Sequence, residues 1–322
     1  MKEKGYTIGI DAGGTKVAYG LFDAQGELVD RYEHPSDQEA DGPAFADRMA
    51  WSVQMLLDKH ASVRDALEGV GVVMPSYIMF DKGYIFLTSA LPKVQDFYMR
   101  DYLREKLNVP VLLDNDANAA ALAEFRKGAG AGRGLKHMVY FTVSTGIGSG
   151  LIINGDVFRG SYGFAGEAGH MLITPDEGIE CGCGNQGCFM SYGSGRYVPM
   201  HILRKLHEGR ESVLSSVDET LLSCRDLLTA CRQKDALAME MLDQMAHYMA
   251  VCAYNIYQLL NINFFVFGGG LTAFGDLLFD RVRAQFDRYD HIGLPVEFTT
   301  AALKQDFGII GASELIRTAL PS

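Results

Sequence analysis

Three thiols and an imidazole crowd one short stretch of this 322-residue chain. His170 is followed by Cys181, Cys183 and Cys188 in "GHMLITPDEGIECGCGNQGC". One imidazole nitrogen and three thiolates form a closed tetrahedral set for zinc, of the type that builds structure rather than performs catalysis. Reduced core thiols or a redox pair are the plainer reading. The glycine spacing and the reducing compartment argued below disfavour it. The other cysteines, Cys224, Cys231 and Cys252, read as core or surface residues without special chemistry.

A second reactive group stands in "LLDNDANAAALAE". A short apolar strand delivers Asn115 and Asp116 to the start of an Ala-rich helix. Asp116 can simply cap that helix. Beside a phosphate it can instead take a proton from an attacking alcohol, help worth about 10² to 10⁴ in rate.

Phosphate sites are what the glycine turns suggest. "DAGGTK" places Gly13, Gly14 and Thr15 directly after a strand, where bare amides and a hydroxyl can approach phosphate oxygens. Asp11 in the same turn can orient a hydrated Mg²⁺. "STGIGSG", from Ser144 to Gly150, repeats the device, and "GGG", Gly268 to Gly270, stands between a strand and a helix. One such turn is as well explained by a tight hairpin. Three at strand ends point to a nucleotide.

These turns need strands to hold them, and the pattern supplies them. "YTIGID", "KVAYGLFD" and "LVDRYE" read as a meander. Phe45, Met49, Val53, Leu56 and Leu57 recur at helical spacing. "GVGVVMP" and "VPVLLDND" read as buried strands with a helix over 101–107 between them. "HMVYFTV", "SGLIIN" and "VFRG" then form a second meander, so two similar halves are expected to face a cleft. A long helix follows over 239–261, its buried face running from Met241 and Leu242 to Leu259 and Leu260. The strand "FFVFGGG" comes next, and "DFGIIGASELIRTAL" forms a closing helix. Residues 207–222 read as polar loop and helix end.

The formal charge of −11 excludes a basic nucleic-acid surface. No apolar run of about 18 residues suggests a membrane helix. "MKEKGYTIGID" lacks a signal-peptide pattern, so a cytoplasmic protein is expected.

Taken in order, "DAGGTK", "DNDANAAALAE", "STGIGSGLIINGDVFRG", "GFAGEAGHM", "CGCGNQGC" and "FGGGL" resemble the ROK family of sugar kinases and regulators, over nearly the whole chain. The resemblance implies an α/β, two-lobed actin/hexokinase-like (ribonuclease H-like) fold with a duplicated β-meander. The expected division is an N-terminal lobe over 1–120 with helix 307–322 packing back on it, and a C-terminal lobe over 121–306 carrying the zinc loop. The implied activity is ATP-dependent phosphorylation of a hexose or hexose derivative at its 6-hydroxyl, with Mg²⁺ on the phosphates and structural Zn²⁺. By resemblance Asp116 is the base, while Asn115, Asp116, Glu167, His170, Ser76 and Met190 line the sugar. Asp11, Gly13, Gly14, Thr15, Lys16, Ser144, Thr145, Gly146, Gly148, Gly268, Gly269 and Gly270 hold ATP. His170, Cys181, Cys183 and Cys188 hold zinc. If one nitrogen of His170 ligates zinc, the other can face the sugar. A homodimer is expected, with neither nucleic acid nor membrane as partner. The alternative is a non-catalytic sugar-binding or sugar-sensing member. Family repressors carry an extra N-terminal DNA reader, and here the first phosphate turn already comes at Asp11.

Three positions depart from the family pattern. Met190 stands where a glutamate is usual, Ser76 where glycine is common after proline, and Ala90 where glucose-type members often carry asparagine. All three fall where the sugar is expected, and loss of a charged acceptor removes roughly 1.5–3 kcal/mol of hydrogen bonding. A substrate other than plain glucose follows as the expectation.

Overall fold

A computed structural model describes residues 5–88 and 90–319. The "MKEK" start and the last three residues of the expected closing helix lie outside the described residues. Chain order runs β1 (Tyr6–Ala12), β2 (Lys16–Phe22), β3 (Leu28–Pro35), α1 (Gly42–Lys59), β4 (Leu67–Met74), β5 (Ser76–Met79), β6 (Tyr84–Thr88), α2 (Met99–Leu107), β7 (Val111–Asn115) and α3 (Asp116–Lys127). It continues with β8 (Met138–Val143), β9 (Ile147–Ile153), β10 (Asp156–Val157), α4 (Met190–Gly193), α5 (Val198–His207), α6 (Cys224–Arg232), α7 (Ala236–Leu260), β11 (Phe264–Gly268), α8 (Asp276–Tyr289), β12 (Glu297–Thr300) and α9 (Phe307–Ala319). Two five-stranded sheets share one plan, β3-β2-β1-β4-β7 and β10-β9-β8-β11-β12. This is the duplicated meander, with parallel strands added beside the first strand of each.

The chain forms two compact units. The first holds Met1–Lys136, Gly150–Gly166 and Ala302–Ser322. Its meander is antiparallel, and β4 and β7 lie parallel to β1 because helical crossovers return the chain to the same end. Ile8, Ile10, Val70, Val72 and Leu113 meet Phe45, Met49 and Val53 of α1 in a dry core. α9 meets the sheet with its backbone almost touching. A Cβ on Gly9 would stand 2.0 Å from the Ile309 carbonyl oxygen, and one on Gly71 would stand 1.8 Å from that of Ala312. Only glycine admits so close an approach. Buried Glu124 of α3 accepts amides from Ala129, Ala302 and Leu303, tying the end of α3 to the segment that leads into α9.

In the second unit, His137–Ser149 and Glu167–Ala301, β11 runs parallel to β8 and β12. The long helix α7 buries Met241, Leu242, Met245, Met249, Cys252 and Ile256. Leu259, expected on that face, is 82% exposed in the last turn of the helix. Of the expected strand "VFRG" only Val157 is in a strand, the two-residue β10 (Asp156–Val157), and beyond it Gly160 takes φ +68°. Cys231 and Cys252 are buried, as core residues should be. Among the described residues no helix is long and apolar enough to cross a membrane.

Candidate active site and metal centre

β1 ends at Ala12 and the first glycine turn closes with Gly13 N–H donating to the Lys16 carbonyl at 3.0 Å. The carbonyls of Gly13, Gly14 and Thr15 are occupied by the Ser36 hydroxyl, the Gln38 amide and the Ser36 N–H. Thr15 is exposed at the tip. Lys16 leans to Glu33 at 3.0 Å on the surface. Asp11, half-buried, has its carboxyl pushed up to about 6, first by burial and then by the nearby charge of Asp116. The same carboxyl fills the space where Gly308 would carry a side chain, 2.1 Å from the position of its Cβ.

A carboxyl that binds its proton more tightly when folded costs stability once ionised. That cost is absent below about pH 4 and complete above about pH 6. Asp11→Asn is therefore expected to stabilise the protein by roughly 1–2 kcal/mol at pH 7.5 and by nothing at pH 3.5, discounting the shift for partial exposure. Urea melts at both pH values measure it. An equal effect at the two would remove the assignment.

At the end of β7 the helix cap falls to Asn115, not to Asp116. Asn115 has the extended φ/ψ of −70° and 147°, and its Oδ1 accepts Ala117 N–H at 2.8 Å and Asn118 N–H at 3.3 Å. Its Nδ2 donates to the Ser76 carbonyl at 3.1 Å. Asp116 is thereby relieved of capping. It is the first helical residue, half-buried, with Oδ1 near Ala117 N–H at 3.0 Å. Burial raises its proton affinity, and that amide only partly offsets the rise. Such a carboxylate accepts protons more readily than an exposed one. Ser76 is buried with its hydroxyl unpartnered, and Ala90 lies against Gly14. The first unit thus gathers Asp11, Gly13, Gly14, Thr15, Ser76, Asn115 and Asp116.

In the second unit the β8–β9 turn closes through Ser144 N–H to the Gly146 carbonyl at 2.9 Å, and Gly148 follows within β9. Gly195 and Arg196 donate backbone N–H groups to the Ser144 and Thr145 carbonyls at 2.7 and 3.1 Å. Gly268 ends β11, Gly269 takes φ +86°, and Gly270 opens a 3₁₀ turn. A cavity of about 310 Å³ joins Ser144, Thr145 and Gly270 to Cys224, Leu228 and Phe274. The sequence reading missed its far wall. The only local signal there was the Ser223–Asp226 capping box, which marks the start of α6 but says nothing of what α6 faces.

Glu167 opens the 3₁₀ turn Ala168–His170, which sets His170 beside the cysteine loop. That loop folds tightly, with Cys181 N–H bonded to the Asn185 carbonyl and Gly184 N–H to the Cys181 carbonyl, both at 2.8 Å. The His170, Cys181, Cys183 and Cys188 donor atoms all lie within 4.8 Å of one another. Cys181 Sγ is 3.6 Å from His170 Nδ1, and Cys183 Sγ is 3.6 Å from Cys188 Sγ. Zinc–sulfur bonds of about 2.3 Å at tetrahedral angles separate ligand atoms by roughly 3.7 Å, so the donors fit the ion. Asn185 Nδ2 points at Cys183 Sγ from 3.6 Å, an outer support of the kind metal thiolates use. Because Nδ1 faces the thiols, Nε2 of His170 is left for another partner. Half-buried Met190 extends its methyl toward Gly169 and Gly146, 3.0 and 3.9 Å from where their Cβ atoms would be.

The ROK family model matches residues 7–319. A glucokinase of Halalkalibacterium halodurans is 33% identical over 98% of this chain and 96% of its own length. A ROK hexokinase from Thermus thermophilus superimposes with a TM-score of 0.83 at 30% identity, covering 98% of both chains. A ROK family glucokinase from Streptomyces griseus, solved in complex with glucose and AMPPNP, gives a TM-score of 0.73 at 29% identity. That match covers 98% of this chain and all of the other.

Proposed function

The chain belongs to the ROK family, and on that footing we propose that it transfers the γ-phosphoryl group of ATP to the 6-hydroxyl of a hexose, with Asp116 as general base. The observation that carries this is a helix-start carboxylate released from capping by Asn115 and made more basic by burial, with Asp11 of the first glycine turn close enough to feel its charge. Asp116 takes the proton of the sugar hydroxyl as that oxygen bonds phosphorus, and the bond to ADP breaks. Positioning and charge neutralisation supply the larger part of such a reaction. Asp11 would hold a hydrated Mg²⁺, which when bound neutralises phosphate charge. Ser144–Gly148 and Gly268–Gly270 cradle the nucleotide at the cavity they border.

His170, Cys181, Cys183 and Cys188 would hold a structural zinc ion, and a reducing cytoplasm keeps those thiols available. Held by its Nδ1, His170 presents Nε2 to a sugar hydroxyl, with Glu167 and Asn115 as further partners. A homodimer is the assembly proposed.

Around the sugar, Met190 offers a thioether where a carboxylate is usual, and Ser76 adds a hydroxyl that has no partner of its own. Both changes favour an epimeric, deoxygenated or N-acetylated hexose over glucose. ADP release across a panel of such sugars tests activity and choice together. At least one of them should exceed glucose in kcat/KM by about tenfold, the worth of one hydrogen bond. Glucose as the clear best substrate would remove the specificity reading. No ADP release with any sugar would remove the kinase.

A further inference from the structure

Asp114, one residue before the Asn115 cap, is a charged side chain only 2% exposed. Its Oδ1 accepts Asn115 N–H at 2.7 Å and Asn118 Nδ2–H at 3.0 Å. Its Oδ2 accepts Nε–H of Arg159 at 2.8 Å. Arg159 arrives from just beyond β10, far away in sequence yet within the same unit. Its guanidinium lies 3.7 Å from the centre of the Phe80 ring and donates to the Val157 carbonyl at 3.3 Å. The planar cation is thus held by a ring on its face, a carboxylate at its edge and a carbonyl. A lysine has neither the plane nor the fork to replace it.

We propose that Arg159, acting through Asp114, is a positioning residue for the corner that carries Asn115 and Asp116. The inference rests on the reading of Asp116 as base. An unpaired buried carboxylate takes up a proton or turns toward water. A carboxylate that turns away frees the Asn118 amide, which ties the helix start to β7, and the Asn115 N–H beside it. Asp116 is the next residue along. A displacement near 1 Å at such a group costs about a hundredfold in rate. The nucleotide contacts proposed on other segments have no part in this link, so ATP binding is spared.

Arg159→Met is expected to lower kcat about thirty- to a hundredfold while the KM for ATP stays within about threefold. Arg159→Lys, which keeps the charge, should recover part of that loss, and it serves as the test if the Met variant does not fold. Asp114→Asn should also lose kcat. The double variant Asp114→Asn/Arg159→Met should be no worse than the poorer single one, because both act through one bond. Multiplying losses in the double variant, or kcat within twofold of the parent in folded Arg159→Met or Arg159→Lys, would overturn the inference. Asp116→Asn measured alongside separates the two readings. If Asp116→Asn is crippled while Arg159→Met is normal, only the positioning role fails. If Asp116→Asn is active while Arg159→Met is crippled, the corner is still positioned by Arg159 but the base is another group.

Discussion

Asp116→Asn is expected to lower kcat by at least about a hundredfold and to leave sugar affinity within a few fold. The amide is isosteric, so its oxygen can still accept Ala117 N–H, and the helix keeps its cap because the cap is Asn115. Nothing structural is therefore charged to the variant. Removing a half-buried carboxyl that resists ionisation should hold the melting temperature or raise it. What disappears is the acceptor for the alcohol proton. The turnover that remains measures positioning and phosphate neutralisation alone. Steady-state ADP release beside calorimetric titration of sugar makes the comparison. Turnover within tenfold of the parent would move the base elsewhere.

The purified protein is expected to carry one zinc ion per chain, and Cys183→Ser to lose it. Cys183 is the exposed one of the four cluster residues, so its replacement disturbs packing least and isolates the metal's expected part. Apparent zinc affinities of roughly 10–16 kcal/mol in small peptides show how strongly such a set couples to folding. If only about 3 kcal/mol is expressed here, the melting temperature falls by on the order of 10 °C. Sugar affinity should fall with it, since His170 is both a donor in the cluster and a proposed sugar contact. Elemental analysis and thermal melts of the parent and the variant decide the matter. Metal-free protein with an unchanged melt would return the thiols to the core.

The parts legible in the sequence were those with local causes. Alternating apolar residues announce β1, β2, β8 and β9, and glycines at their ends announce turns, because backbone freedom is written in residue type. The cap was ambiguous for a physical reason. Asparagine and aspartate serve almost equally well there, and only the extended backbone of Asn115 decides which does. The hairpin β5–β6 was not foreseen because Phe80–Lys82 interrupts its alternation with a 3₁₀ turn. Arg159 was read as part of a strand. Its partners Phe80 and Asp114 lie 79 and 45 residues upstream, beyond the reach of any local pattern. The far wall of the cavity beside Ser144 and Gly270 was hidden likewise, since Cys224 and Leu228 of α6 reach it from a distant part of the sequence.

The notched face that β1 and β4 offer to α9 bears on biosynthesis. Those strands leave the ribosome well before α9, which follows β4 by more than 200 residues (Met74 to Phe307). Throughout elongation the sheet waits with its glycine-lined side uncovered, and the first unit closes only when α9 emerges. Without that helix the glycine-lined face of the first unit would stay bare.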